Sequence, residues 1–263
     1  MDLQLKSKTA FISGSTQGIG YAIASQLLAE GAHVIINGRT QVKLDEAIAR
    51  LQKDFPNARV SGIAADFAKA DEVNNLLTKL PEVDILINNV GIFDLKDFTE
   101  LTDEEWYRFF EINVMSSIRL SRALLPKMLS RGWGRVIFIS SESGINIPEN
   151  MIHYGMSKTA MLSISNGLSK LTKNTTVTVN TILGGPTYSE GVAKAVEQIS
   201  QAQKIPVAHM KQAIMQNTNP HSLIQRFIEP TEIATLAAYL SSPVSIATNG
   251  ATLRADGGTL QMI

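Results

Sequence analysis

Between residues 8 and 255, short apolar runs of strand character alternate with stretches of helical periodicity. This alternation limits the possible folds more than any single residue does. Strand-like runs fall at 8–13, 33–37, 60–64, 85–88, 135–140, 176–183 and 252–255, and helical stretches at 20–30, 40–55, 72–80, 106–129, 153–171 and 231–240 lie between them. Parallel strands need a crossover of a dozen or more residues, which a helix supplies. The pattern therefore predicts a doubly wound α/β arrangement, a mostly seven-stranded parallel sheet with helices on both faces. No linker, repeat or low-complexity tract breaks residues 1–263, so a single domain is expected. One segment departs from the rhythm. Residues 187–229 read as helical pieces between Pro186 and Pro230, following a strand's carboxyl end, where an insertion can serve as a lid.

Glycines punctuate the first strand-to-helix turn, in the run Ser13, Gly14, Ser15, Thr16, Gln17, Gly18, Ile19, Gly20. Glycine permits a tight turn and close backbone approach there, and free amides at the start of the next helix can hold a pyrophosphate. The context of strand, turn and helix points to a dinucleotide. At the end of the second strand, where an NAD-binding protein commonly places an acidic residue for the ribose hydroxyls, this chain has Arg39. A guanidinium suits the 2′-phosphate of NADP(H), which leaves NAD(H) as the second choice. The bland alternative is a solvated arginine opening a helix.

Tyr154 and Lys158 stand four residues apart in a helical stretch, so they share one face. A tyrosine with its ordinary pKa of ~10 is a poor acid or base at neutral pH, and a nearby cation stabilises its phenolate. Ser140, Ser141 and Ser143 lie just upstream. Adjacent strand residues point to opposite faces, so Ser140 and Ser141 cannot both address one pocket. His153 is a lone histidine at a helix start, more structural than catalytic in character.

These motifs, in this order, resemble the short-chain dehydrogenases/reductases (SDRs) over about residues 5–258, with a 3-oxoacyl-acyl-carrier-protein-reductase-like member as the nearest type. The resemblance implies a Rossmann fold and a catalytic set of Asn113, Ser141, Tyr154 and Lys158. Tyr154 would pass the proton, and Ser141 would bind the reacting oxygen. Lys158 would hold the nicotinamide ribose and lower the tyrosine pKa by its charge, while Asn113 would hold a water that resupplies protons. Cofactor contacts are implied at Gly14, Ser15, Gln17, Gly18, Ile19, Gly20, Arg39, Asp66, Phe67, Asn89, Gly91, Tyr154, Lys158, Pro186 and Thr187, with Ser189 as the alternative to Thr187 at the nicotinamide carboxamide. Two residues depart from the family pattern: Val90 replaces an alanine beside the cofactor floor, and Gly184 replaces a proline, which should loosen the segment over the nicotinamide.

The implied activity is hydride transfer between NADP(H) and a carbonyl or secondary alcohol. Ile145, Ile147, Tyr188, Met210 and Met215 suggest a largely apolar substrate, or simply packing. The alternative is a non-catalytic NADP-binding regulatory protein, whose mark would be a broken catalytic set. Twenty-four basic against 24 acidic residues give no reason to expect nucleic acid or an anionic membrane as partner. The absence of cysteine and the scattering of four histidines speak against a metal, and no apolar run reaches the ~18 residues of a membrane span. A cytoplasmic location is expected, and the resemblance implies a homotetramer, with Leu260, Met262 and Ile263 as candidate subunit contacts. Arg39→Asp is expected to shift cofactor preference from NADPH toward NADH, measured by titrating both cofactors; a parent that already prefers NADH would overturn the assignment.

Overall fold

A computed structural model describes residues 1–261. Seven strands, β1 (Thr9–Ile12), β2 (His33–Gly38), β3 (Val60–Ala64), β4 (Ile85–Asn88), β5 (Trp133–Ser141), β6 (Thr176–Gly184) and β7 (Thr252–Ala255), form one sheet in the order β3-β2-β1-β4-β5-β6-β7. Every neighbouring pair is parallel. The order reverses between β1 and β4, and such a switch point opens a crevice at the carboxyl ends of the strands.

The strands read as continuous apolar runs because both faces are covered. Ala10, Ile12, Ile85, Ile87, Ile137 and Ile139 turn toward helices α1 (Gly18–Ala29), α2 (Gln41–Asp54) and α9 (Pro230–Ser241). The alternate residues Phe11, Leu86, Val136 and Phe138 face α3 (Ala70–Lys79), α5 (Ser116–Arg131) and α6 (Ile152–Ser169). Two cores thus sandwich the sheet.

The helical stretch expected over 106–129 is not one regular helix. It is α4 (Asp103–Phe109), a π-helical turn (Phe110–Met115) and then α5. A π turn admits one extra residue, and such bulges are frequent at functional sites. Gly184, expected to loosen its segment, lies inside β6 in register with Ser141 and Ala255.

After β6 come α7 (Glu190–Gln203) and α8 (Val207–Thr218). The ends of this segment are stapled: Tyr188 N donates to Ile228 O, and Ile228 N donates to Pro186 O, both at 2.8 Å. Met210 and Met215 are buried, so they pack the segment rather than line an open pocket. Leu260 is also buried within the chain, and its amide donates to Asp256, which removes it as a free subunit contact. Met262 and Ile263 lie outside the described residues. No helix of the described residues is long and apolar enough to cross a membrane. Phe138→Ala, at a fully buried position of β5, is expected to lower stability by about 3–5 kcal/mol, read as a fall in the denaturant midpoint.

Candidate active site

The glycine turn is fastened before any ligand enters. Gly14 has φ +61° and its amide donates to Asn37 Oδ1 at 3.0 Å; the Ser15 amide donates to Asn37 O, and the Ser15 hydroxyl to Ile12 O. The amides of Gly14 and Ser15 are therefore committed to the fold, leaving these residues to offer only close approach. Asn37, a residue the sequence reading passed over, is the clamp: its amide group also donates to Ile63 O and Ala65 O. Asn89 ties the turn from the other side, with Nδ2 donating to Ser13 O and Gly14 O and its backbone amide donating to the Ser13 hydroxyl. A Cβ on Gly20 would lie 2.5 Å from Asn89 Nδ2, so only glycine fits there. Val90 packs against the space left by the missing Cβ of Gly14.

Gln17 is the extended residue before α1, and Ile19 packs against the core from the first turn. Gly18, with φ +61°, donates its amide to Glu190 Oε2 at 2.6 Å. That partner arrives from α7, 172 residues away. A carboxylate thus sits where the resemblance places a phosphate, and the helix-start amide accepts an anion.

Other expected contacts meet mixed fates. Arg39 is exposed at the end of β2, just before Thr40 caps α2. Phe67 is buried in the core with α3 and α5, so only its backbone can face a ligand. Asp66 spends Oδ1 on the Ala68 amide. Thr187 turns its hydroxyl to Gly185 O, and Ser189 stands before the first turn of α7. Pro186 is occupied at its carbonyl by Ile228.

Ser141, Tyr154 and Lys158 come together at the carboxyl edge of the sheet. Ser140 points away, its hydroxyl donating to Lys158 O, as strand alternation requires. The Ser141 hydroxyl lies within reach of the Tyr154 phenol. Lys158 is 5% exposed and its Nζ donates to Ile139 O at 3.0 Å, 5.6 Å from the Tyr154 ring centre. A Cβ on Gly91 would come within 3.2 Å of that Nζ, so Gly91 leaves room for it.

The electrostatics differ from expectation. Burial, not charge, dominates both groups: it pushes the Tyr154 phenol well above its ordinary range, and it lowers the Lys158 ammonium to about 8. Lys158 makes no hydrogen bond to the phenol; its Nζ donates to a backbone carbonyl. Asn113 also differs. Both amide protons of its fully buried side chain are spent, on Ile92 O and Ser157 Oγ, and its Oδ1 accepts from Ile92 N. The side chain secures the π turn to the loop after β4 and to α6, and both of its amide protons are used there. His153 is buried against Phe109 and Trp106, as a structural histidine would be.

Sequence reasoning missed Glu142. Its Oε2 accepts from the Ser141 hydroxyl, from the Ser143 hydroxyl at 2.9 Å and from the Ser143 amide. The available signal was a carboxylate at the end of an apolar strand, directly after the expected serine. Burial raises its carboxyl above the usual range.

Comparison with known proteins agrees with this geometry. The family described as short chain dehydrogenase matches residues 8–200. An uncharacterized oxidoreductase, YvaG, of Bacillus subtilis is 45% identical over the full length of both chains. A 3-oxoacyl-[acyl-carrier-protein] reductase of Rickettsia felis is more distant, at 29% identity over 99% of this chain and all of its own. The crystal structure of L-sorbose reductase from Gluconobacter frateurii, complexed with NADPH and L-sorbose, superposes over all of both chains with a TM-score of 0.93 at 29% identity.

Between about pH 8 and 10.5 an unfolded chain keeps the Lys158 proton that the folded chain has released, so stability should rise with pH across that window. Tyr154 acts in the opposite sense, and only above about pH 10, where the unfolded phenol ionises first. Lys158→Met is expected to flatten the rise, which amounts to at most about 3 kcal/mol, as measured by urea midpoints from about pH 7.5 to 10.

Proposed function

The chain belongs to the short-chain dehydrogenase family, and from that premise we propose that it transfers hydride between NADP(H) and a carbonyl or secondary alcohol, using Ser141, Tyr154 and Lys158. The reading rests above all on the convergence of these three side chains beside the fastened glycine turn. It takes residues 1–263 as one domain, with residues 187–229 as the lid, NADP(H) as the preferred cofactor and a homotetramer as the assembly. No observation favours a purely regulatory NADP-binding role, since the four expected side chains are all present.

The residues fit a dinucleotide on two counts. The turn is held by close packing that leaves no room for a Cβ at Gly14 or Gly20, as a tight dinucleotide turn requires, and the Gly18 amide already donates to a carboxylate. Gly18, Ile19 and Thr187 would hold the pyrophosphate and nicotinamide end, Arg39 the 2′-phosphate and Asp66 the adenine. The bound nicotinamide supplies or takes the hydride.

In the reductive direction Tyr154 donates its proton to the carbonyl oxygen. Its raised pKa keeps it protonated at neutral pH, so the donor form is the resting form. Ser141 hydrogen-bonds the same oxygen as negative charge develops on it. Lys158, whose Nζ now donates to Ile139 O, would hold the ribose hydroxyls when the cofactor binds. Phe93, edge-on to Tyr154, and the exposed Ile145 and Ile147 give the cleft an apolar rim.

Following NADPH absorbance with a panel of ketones and aldehydes tests the proposal. Tyr154→Phe is expected to lower kcat roughly 10²- to 10⁴-fold while NADPH binding persists. Turnover that survives this substitution undiminished, or no turnover of any carbonyl by the parent, would sink it.

A further inference from the structure

Ser141 has one proton to donate, and in this structure it goes to Glu142. Its oxygen meanwhile accepts from the Ser143 amide at 3.1 Å. A carbonyl oxygen arriving beside Tyr154 therefore finds the serine's donor already taken. Glu142 is satisfied on one side only. Oε2 collects all three donors, from Ser141 and Ser143, whereas Oε1 has no partner among the described residues and is not among the sealed, unsatisfied atoms. Among the described residues no cation forms an ion pair with this carboxylate. Its charge is nevertheless felt by both Tyr154 and Lys158, which places it at the same centre. A half-buried charge with an open acceptor oxygen disfavours an apolar neighbour and favours a donor.

We infer that Glu142 is a specificity residue: its carboxylate takes the hydrogen bond of a hydroxyl on the carbon next to the reacting carbonyl, so the preferred substrates are α-hydroxy ketones or α-hydroxy aldehydes. This rests on the hydride-transfer reading above. A hydroxyl one carbon away lies within a hydrogen-bond length of the carbonyl oxygen, so both groups can be met together. When the substrate hydroxyl donates to Oε1, it shares the carboxylate charge and weakens the hold of Oε2 on the Ser141 proton, which can then turn to the carbonyl oxygen. A substrate without that hydroxyl leaves Ser141 bound to Glu142 and loses its second donor. The reaction is then α-hydroxy carbonyl plus NADPH plus a proton, giving a vicinal diol plus NADP⁺: the carbonyl carbon is reduced by the hydride, and its oxygen takes the Tyr154 proton.

The test compares 1-hydroxy-2-butanone with 3-pentanone, which has a methyl in place of the hydroxyl, by kcat/KM with NADPH. The parent should favour the hydroxy ketone by ~10-fold or more, the scale of a hydrogen bond to a charged group. Glu142→Gln, which keeps the shape, should cut that ratio at least ~5-fold, partly by raising plain-ketone turnover as Ser141 is freed. Glu142→Ala should bring the ratio close to one, with melting curves reporting its fold; if it does not fold, the glutamine variant decides alone. A parent with no preference, or a glutamine variant that lowers both substrates equally, overturns the inference and leaves hydride transfer standing. No NADPH oxidation with any carbonyl overturns both.

Discussion

A single carboxamide, that of Asn89, joins the two strands whose divergence makes the crevice. It lies just after β4 and holds the carbonyls of Ser13 and Gly14 just after β1. These hydrogen bonds cross the point where the strand order reverses, so they set how far the glycine turn stands from everything that follows β4. Gly20 must lack a side chain for the contact to form. Asn37 repeats the device from the β2 side. The turn is thus preorganised by backbone carbonyls and two asparagines, whose hydrogen bonds are sheltered from water and whose geometry needs no ligand to complete it.

The second organising constraint is desolvation. Tyr154 and Lys158 are both driven toward their neutral forms, from opposite sides of the pH scale. A tyrosine that stays protonated is an acid ready to be used, and a lysine that releases its proton near pH 8 is poised between two states. Glu142 adds to the trend at Tyr154, whose phenol it raises further, and opposes it at Lys158, whose ammonium it favours. The centre therefore behaves as one coupled set of titrating groups rather than a tyrosine with a helper.

Much of this was legible in the chain. The period of the apolar runs foretold the sheet, and the four-residue spacing of Tyr154 and Lys158 foretold that both lie on one helix, α6. Strand alternation separated Ser140 from Ser141, and the structure places their hydroxyls on different partners. What sequence could not supply were choices made by rotamers and by distant elements. Lys158 had two possible partners four residues or one strand away, and it took the carbonyl of Ile139. Asn113 was expected to reach a water, but the π turn aims it at Ile92 and Ser157. Met210 and Met215 looked equally suited to a pocket wall and a packed interior, since hydrophobicity does not distinguish them.

Glu190 adds a thermodynamic consequence to the picture of a ready cradle. With its carboxylate on the Gly18 amide, the ligand-free protein already has that seat taken by an anion of its own. On the binding mode proposed above, a phosphate arriving there would carry out an exchange, and its net affinity would be the difference between two anions competing for one amide. Such competition is reciprocal. Anything that steadies the first turn of α7 in its present place weakens the dinucleotide by the same factor, and every bound dinucleotide frees α7 to that extent, so the reach of the segment over the cleft and the hold of the cofactor share one free energy.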